Sequence, residues 1–298
     1  EMMKSPAVLL LLSVSTTTAF LTSPSLARHS IVSAVSLDRL KFRSGALSGV
    51  RMGLRIEQDE KSVGTALCSI LETEYKKTAS AKGNFAFSIS GGSMLKMLKN
   101  LDGKSGIDWS KCTMGFVSHR CVPLDDDAAT YHKARPLFLQ SWMDQGLKVI
   151  TVTGTTDAEK EANAYEAALK AVPESVLPRN AEGFPVFDLL LIGVGTDGHV
   201  GSIYPNLPDV ESKRVVVPVT QPVTKPVKIS LSLTTMLAAK ASVVACAGKS
   251  AKAPLGKAEA MVRGLEGDET AMSFPASALR HKATWLLDED SAVLLKKK

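Results

Sequence analysis

The chain has 298 residues, 45% hydrophobic and 22% charged, enough apolar material for one large domain or two small ones. With Gly 21, Pro 14 and Cys 4, collagen-like, disordered and disulfide-dense classes are excluded. The net charge of +6 and a pI near 9.0 invite a nucleic-acid reading, but the excess is local. Residues 1–55 hold seven of the 36 bases and only two of the 30 acids, which leaves the remainder at +1. That remainder has no basic stripe and no interleaved aromatics, so a nucleic-acid partner is not expected.

In chain order, Lys4 precedes an apolar run at 7–12, then small polar residues at 13–18 and Ala19-Phe20. A positive start, a short apolar core and small residues have the layout of a signal peptide; the run is too short to span a bilayer. Residues 21–55 are rich in Ser and bases with a single acid, the composition of an organelle transit peptide. The Ala19-Phe20 junction resembles the bipartite presequences of algae with complex plastids. Residues 1–55 are therefore expected to be a targeting segment for a plastid and 56–298 the working domain, with no stable membrane association.

From residue 57 helix and strand alternate. Val63, Leu67, Ile70 and Leu71 have helical spacing within 57–79, and 84–90 (NFAFSIS) is a strand candidate leading through Gly91-Gly92-Ser93 into a helix over 94–101. Further strands are expected at 113–117 and 149–152, with helices at 128–143 and 157–172. Residues 187–194 (FDLLLIGV) are almost continuously apolar, as in a parallel strand buried on both faces. Segments 215–219, 227–232, 242–247 and 284–287 complete the strand candidates. The alternation predicts a single α/β domain with a mostly parallel, Rossmann-like sheet flanked by helices. The cysteines Cys68, Cys112, Cys121 and Cys246 lack any C-x-x-C spacing, so neither zinc nor a disulfide framework is indicated. They read as reduced core residues.

Open α/β sheets bind ligands at the carboxyl ends of their strands, and three such junctions carry chemistry. Ser90, Gly91, Gly92 and Ser93 follow a strand and precede a helix, so the backbone can approach an anion closely, with hydroxyls beside it. The alternative for this stretch is a tight turn with Ser93 capping the helix. The second junction runs from Gly193 through Val194, Gly195, Thr196, Asp197 and Gly198 to His199. It satisfies G-x-G-x-x-G, but Pro205 and Pro208 interrupt any following helix, and no acid ends the next strand to hold a ribose hydroxyl. A dinucleotide cofactor is rejected on that ground. What is left is a glycine-lined loop presenting His199 as a base near neutral pH, with Asp197 to orient its ring. The third junction offers Arg120 as a phosphate ligand and His119 as a second candidate base. Asp125, Asp126 and Asp127 after it are expected to form a solvated turn leading into a helix.

These junctions, as SISGGS (88–93), RCVPLDDDAATY (120–131) and FDLLLIGVGTDGHVGSIYP (187–205), resemble the 6-phosphogluconolactonase family of the glucosamine-6-phosphate isomerase/deaminase superfamily. SFPAS (273–277) and WLLDEDSA (285–292) look like the family's closing segments. The resemblance implies metal- and cofactor-free hydrolysis of a sugar-phosphate lactone. It implies His199 as general base and substrate contacts from Ser90, Gly91, Gly92 and Arg120; the loops themselves add Asp197 beside the base and Ser93, Gly195 and Gly198 as further contacts. A phosphate contact is implied for Lys249 or Lys252 in the 248–253 turn. Two departures stand out: Ser118-His119 replaces the family's Asp-Glu before the arginine, and Ala129-Thr130 its Ser-Asn before Tyr131. They keep open a non-catalytic sugar-phosphate sensor on the same fold. A deaminase reading is disfavoured, because no acid follows His199 before Asp209.

Overall fold

The computed structural model describes residues 53–298 except 102–104, 224, 250–253 and 297–298. The expected signal and transit segments, apart from their last three residues, lie outside the described residues, as does Lys252.

Seven parallel strands form the main sheet: β1 (Leu54–Glu57), β2 (Phe85–Ile89), β3 (Cys112–Phe116), β5 (Lys148–Val149), β6 (Leu189–Gly193), β9 (Ala241–Cys246) and β10 (Thr284–Asp288). Their spatial order is β1-β10-β9-β6-β2-β3-β5. Every residue of β2, β3 and β10 is buried, as are most of β6 and β9, which is why these stretches carry apolar residues without alternation. Between the strands run helices α1 (Glu60–Lys82), α2 (Ser93–Leu98), α5 (Ala158–Ala171) and α7 (Gly256–Leu265), and the short α8 (Glu289–Ala292) follows β10. The helix expected over 128–143 forms as α3 (Thr130–Ala134) and α4 (Gln140–Asp144), joined by a π-helical turn, Arg135–Leu139, in which Pro136 supplies no N–H to the ladder. Asp59 caps α1 and Asp157 caps α5, each side chain accepting first-turn N–H groups.

Two features depart from the sequence reading. The boundary expected after Arg55 falls inside β1, whose four residues pair with β10 in the register Leu54↔Trp285 to Glu57↔Asp288. The Gly53 carbonyl already accepts the Trp285 N–H. The other is that β7 (Val216–Val219) and β8 (Lys228–Leu231) do not join the main sheet. With β4 (Ser118–Arg120) they form a separate antiparallel sheet in the order β4-β8-β7, followed by α6 (Leu233–Ala238). Pro218 sits in β7, an edge strand, where a missing N–H is tolerated.

The strand order sets the location of the site. The chain enters at the edge strand β1, runs from β2 outward through β3 to β5, then returns to the other flank of β2 as β6 and proceeds through β9 to β10, which pairs with β1. The order reverses between β2 and β6, and beyond their carboxyl ends such a sheet leaves a crevice. The loop after β2 carries Ser90, Gly91 and Gly92, and the loop after β6 carries Gly195, Asp197, Gly198 and His199. The small sheet brings Arg120 to the same segment, as its packing against residues 201–204 shows below. Among the described residues no helix is long and apolar enough to cross a membrane.

Candidate active site

The loop after β6 opens no helix. It folds back as a tight turn, with Gly195 N–H donating to the His199 carbonyl (2.9 Å) and Gly198 N–H to the Gly195 carbonyl (3.0 Å). The first helical residues beyond it are the 3₁₀ turn Pro208–Glu211, as the two prolines dictate. The turn brings His199 Nδ1 to 2.6 Å from Asp197 Oδ1. An ionised carboxylate only accepts, so Nδ1 carries the proton and Nε2 holds the free lone pair, the form a general base requires. The His199 backbone N–H also reaches Asp197 Oδ1, at 3.2 Å. Partial burial opposes ionisation of Asp197, but these bonds and the imidazole beside it outweigh that and hold its carboxyl below the ordinary value of 3.8.

Two glycines make the turn possible. A Cβ on Gly195 would lie 2.5 Å from Asp197 Oδ1 and closer still to His199 Nδ1 and Cε1. Gly198 has φ +87°, and a Cβ there would run into the Phe274 ring, 2.6 Å from Cε2 and closer to Cγ and Cδ2. Phe274 is fully buried, and the Ala276 N–H donates to the Gly198 carbonyl at 2.9 Å. The 273–277 segment is thus the buttress of the His199 loop.

On its far side His199 meets Tyr204, ring centroids 4.8 Å apart. The Tyr204 hydroxyl accepts from Lys228 Nζ at 2.6 Å. Lys228 opens β8, and the antiparallel register places it directly opposite Arg120 of β4. Directly opposed residues project from one face, so two cations stand side by side. On the same face Ser230 Oγ accepts the Ser202 N–H at 3.0 Å, fixing this face against residues 201–204. Like charges so placed repel, yet neither forms an ion pair among the described residues. Among the described residues the Arg120 guanidinium donates only to the Ala128 carbonyl, 3.2 Å away, and Lys228 only to Tyr204. Such a pair can receive an anion between its donors. The sequence reading missed Lys228; its one signal was a cation at the start of a β-rich segment, and nothing along the chain joins it to Arg120.

Ser90 continues β2, its N–H donating to the Leu191 carbonyl of β6 at 2.9 Å, so the two loops start side by side. Its hydroxyl is buried and has no hydrogen-bond partner among the described residues. Gly91 faces Thr130, whose Oγ1 would lie 3.1 Å from a Cβ at that position. Gly92, not Ser93, is the N-cap of α2, and Ser93 is exposed.

The structure corrects the reading of His119 as a spare base. The residue is 2% exposed; its Nδ1 lies 2.7 Å from the Arg120 carbonyl, and its Nε2 accepts the Tyr131 N–H at 3.1 Å. Neither nitrogen is open to a substrate. The Asp125–Asp127 triplet forms the expected exposed turn, with Asp126 accepting from the Ala128 N–H. Lys249 lies on the loop after β9 and pairs with Asp290 at 2.7 Å on an exposed surface. Both the hydrogen bond and the charge of Asp290 raise its pKa. All four cysteines are buried and unpaired, and burial pushes the Cys68, Cys112, Cys121 and Cys246 thiols up to about 12. Among the described residues no group of three or more His, Cys, Asp or Glu is placed to hold a metal ion.

A family model described as glucosamine-6-phosphate isomerases/6-phosphogluconolactonase matches residues 58–287. Over 224 residues the chain is 31% identical to the 6-phosphogluconolactonase of Rattus norvegicus, covering 72% of this chain and 82% of that protein. It is 30% identical over 226 residues to 6-phosphogluconolactonase 3, chloroplastic, of Arabidopsis thaliana, covering 72% and 67%. In three dimensions it is similar to the 6-phosphogluconolactonase of Trypanosoma brucei, with a TM-score of 0.67 at 23% identity over 82% of this chain and 99% of that one. That last likeness speaks for the fold.

Proposed function

Because the chain belongs to the glucosamine-6-phosphate isomerase/6-phosphogluconolactonase family, we propose that it hydrolyses 6-phospho-D-glucono-1,5-lactone to 6-phosphogluconate in the oxidative pentose phosphate pathway. One observation carries the reading: an Asp197-oriented imidazole with Nε2 free, linked through Tyr204 to the adjacent cations Lys228 and Arg120.

The chemistry asked of these residues is modest, since a lactone carbonyl is already electrophilic. Arg120 and Lys228 bind the phosphate and fix the sugar ring, with the Ser90 hydroxyl and the backbone of Gly91 and Gly92 as further contacts. His199 Nε2 takes a proton from water as the oxygen attacks C1. The tetrahedral anion then collapses, the C1–O5 bond breaks, and O5 leaves as a hydroxyl with a proton returned from the imidazolium. Asp197 keeps the ring in its Nδ1–H form and stabilises the imidazolium while it exists. Oriented general-base catalysis of this kind contributes about 10²–10⁴ in rate.

His199→Ala in the full chain tests this. Acid release from freshly generated lactone, corrected for spontaneous hydrolysis, is expected to lose about 10²–10⁴ in kcat while 6-phosphogluconate still binds. Full turnover in that variant would refute the role of His199. A folded wild-type protein that binds 6-phosphogluconate without turnover would instead be a sensor.

Delivery to a plastid is part of the proposal. It is supported by the signal-then-transit composition of residues 1–55 and by the chloroplastic name of the Arabidopsis relative. A fluorescent tag at the carboxyl end of the full chain reads it directly, and tag retained in the cytosol would exclude it.

A further inference from the structure

The buried imidazole of His119 ties together two elements that the proposed phosphate site depends on. Its Nδ1–H donates to the carbonyl of Arg120, on β4, and its Nε2 accepts the N–H of Tyr131, in the first turn of α3. Ala129, the N-cap of α3, has no side chain able to accept that N–H, so the imidazole is a cap supplied from another element. The Arg120 guanidinium closes the loop from the other side, donating to the carbonyl of Ala128 immediately before the helix. Arg120 is thus held at both ends against one point, the entry to α3, and His119 provides the main-chain half of the hold.

We propose that His119 is a positioning residue: its neutral imidazole clamps β4 to α3 and so fixes where the Arg120 guanidinium stands to receive the substrate's phosphate. The proposal rests on the reading of Arg120 as an anion ligand. The same two bonds account for the departure at position 119: a neutral ring supplies one donor and one acceptor there, whereas an ionised carboxylate would place an acceptor against the Arg120 carbonyl.

The clamp exists only while Nε2 is unprotonated, because a proton there would set a donor against the Tyr131 N–H. The surroundings favour the neutral form. Phe116 of β3 packs edge-on against the ring at 5.2 Å, and the register partner on β8 is Ile229. The charged groups facing the ring are Arg120 on its own strand and Glu161 of α5; Tyr131 is the titratable neighbour from α3. Burial lowers the pKa below 6.5, joined by the Arg120 charge, while the hydrogen bond to the Arg120 carbonyl and Glu161 act the other way. With the folded-state value below the unfolded one, the contribution to stability is complete above about pH 6.5. It is lost as pH falls toward the folded-state value, because the unfolded chain takes up the proton first.

The test compares full-length wild type, His119→Leu and His119→Gln for kcat and KM on fresh lactone between pH 5 and 8, with thermal unfolding at each pH. Leucine removes both bonds, whereas the glutamine amide supplies one donor and one acceptor and does not titrate. At pH 7.5, His119→Leu should raise KM at least about tenfold with kcat changed less than about threefold, one charge-assisted contact's worth of binding. His119→Gln should restore KM to within about threefold and, because its amide does not titrate, lack part of the loss of thermal stability that wild type shows as pH falls below about 6.5. A KM within twofold of wild type in a folded His119→Leu, or identical loss of stability in that acid range for wild type and His119→Gln, would overturn the proposal. If the leucine variant does not fold, the glutamine comparison alone decides. Should wild type hydrolyse no lactone, the lactonase reading fails by itself, whatever the state of the clamp. The clamp is then read from the ¹⁵N imidazole spectrum: a neutral Nδ1–H ring at pH 7 sustains it and a protonated one removes it.

Discussion

Gly195→Ala separates the chemistry of the His199 loop from its stability. Gly195 is not among the residues with positive φ, so alanine can adopt the same backbone. The new Cβ would instead meet Asp197 Oδ1 at 2.5 Å and the His199 ring closer still. These are the side-chain atoms of the dyad itself, and the available relief is rotation of His199 off its carboxylate. Asp197 is exposed (47%) and His199 half-buried (32%), so the lost Asp197–His199 hydrogen bond should cost no more than about 1 kcal/mol. For a folded body of this size that lowers Tm by about 2–4 °C. Turnover should fall about 10²–10⁴-fold, because an unoriented imidazole no longer presents Nε2 to the attacking water. Acid release above the spontaneous rate gives kcat, and a thermal scan gives Tm on the same preparation. The effect should also be far from additive with His199→Ala, since both remove one function. A kcat within about fivefold of wild type would show that the Asp197–His199 contact is not what makes the loop active. A fall in Tm of more than about 8 °C would show that the main chain had moved.

The neighbouring glycine should behave in the opposite way. Gly198→Ala combines a left-handed φ of +87° with collision against the buried Phe274 ring, so strain and overpacking together should cost about 2–5 kcal/mol in denaturant unfolding. A loss below 1 kcal/mol would mean that the 273–277 segment yields freely. Lys228→Met removes one charge-assisted contact to the proposed phosphate and should raise KM for the lactone about 10–100-fold with little change in kcat. An unchanged KM would take Lys228 out of the site.

Much of the architecture was legible along the chain, because burial on both faces leaves a mark in composition. The apolar runs that become β2, β3, β6, β9 and β10 could be read for that reason. β1 could not: it is a four-residue edge strand reading LRIE, with no residue fully buried. It directly follows a basic segment, so its start was absorbed into the presequence. The pairing of Asp197 with His199 was readable because turn glycines, an acid and a histidine sit within one loop. The roles of His119 and Lys228 were not: Lys228 meets Arg120 through a pairing of segments about a hundred residues apart, and His119 depends on how β4 packs against the start of α3.

The sequence by itself determined a mostly parallel α/β fold, a glycine-bound Asp197–His199 dyad, and a basic excess confined to the first 55 residues. Local physics suffices for these: periodicity, turn stereochemistry and charge are properties of neighbouring residues. Only the tertiary structure decided what surrounds the dyad. The antiparallel β4–β8 register sets Lys228 beside Arg120, and the packing of β4 against α3 turns a histidine that looked like a base into a buried clamp. Both follow from the burial of apolar faces, which chooses partners across the whole chain and leaves no trace at the positions it brings together.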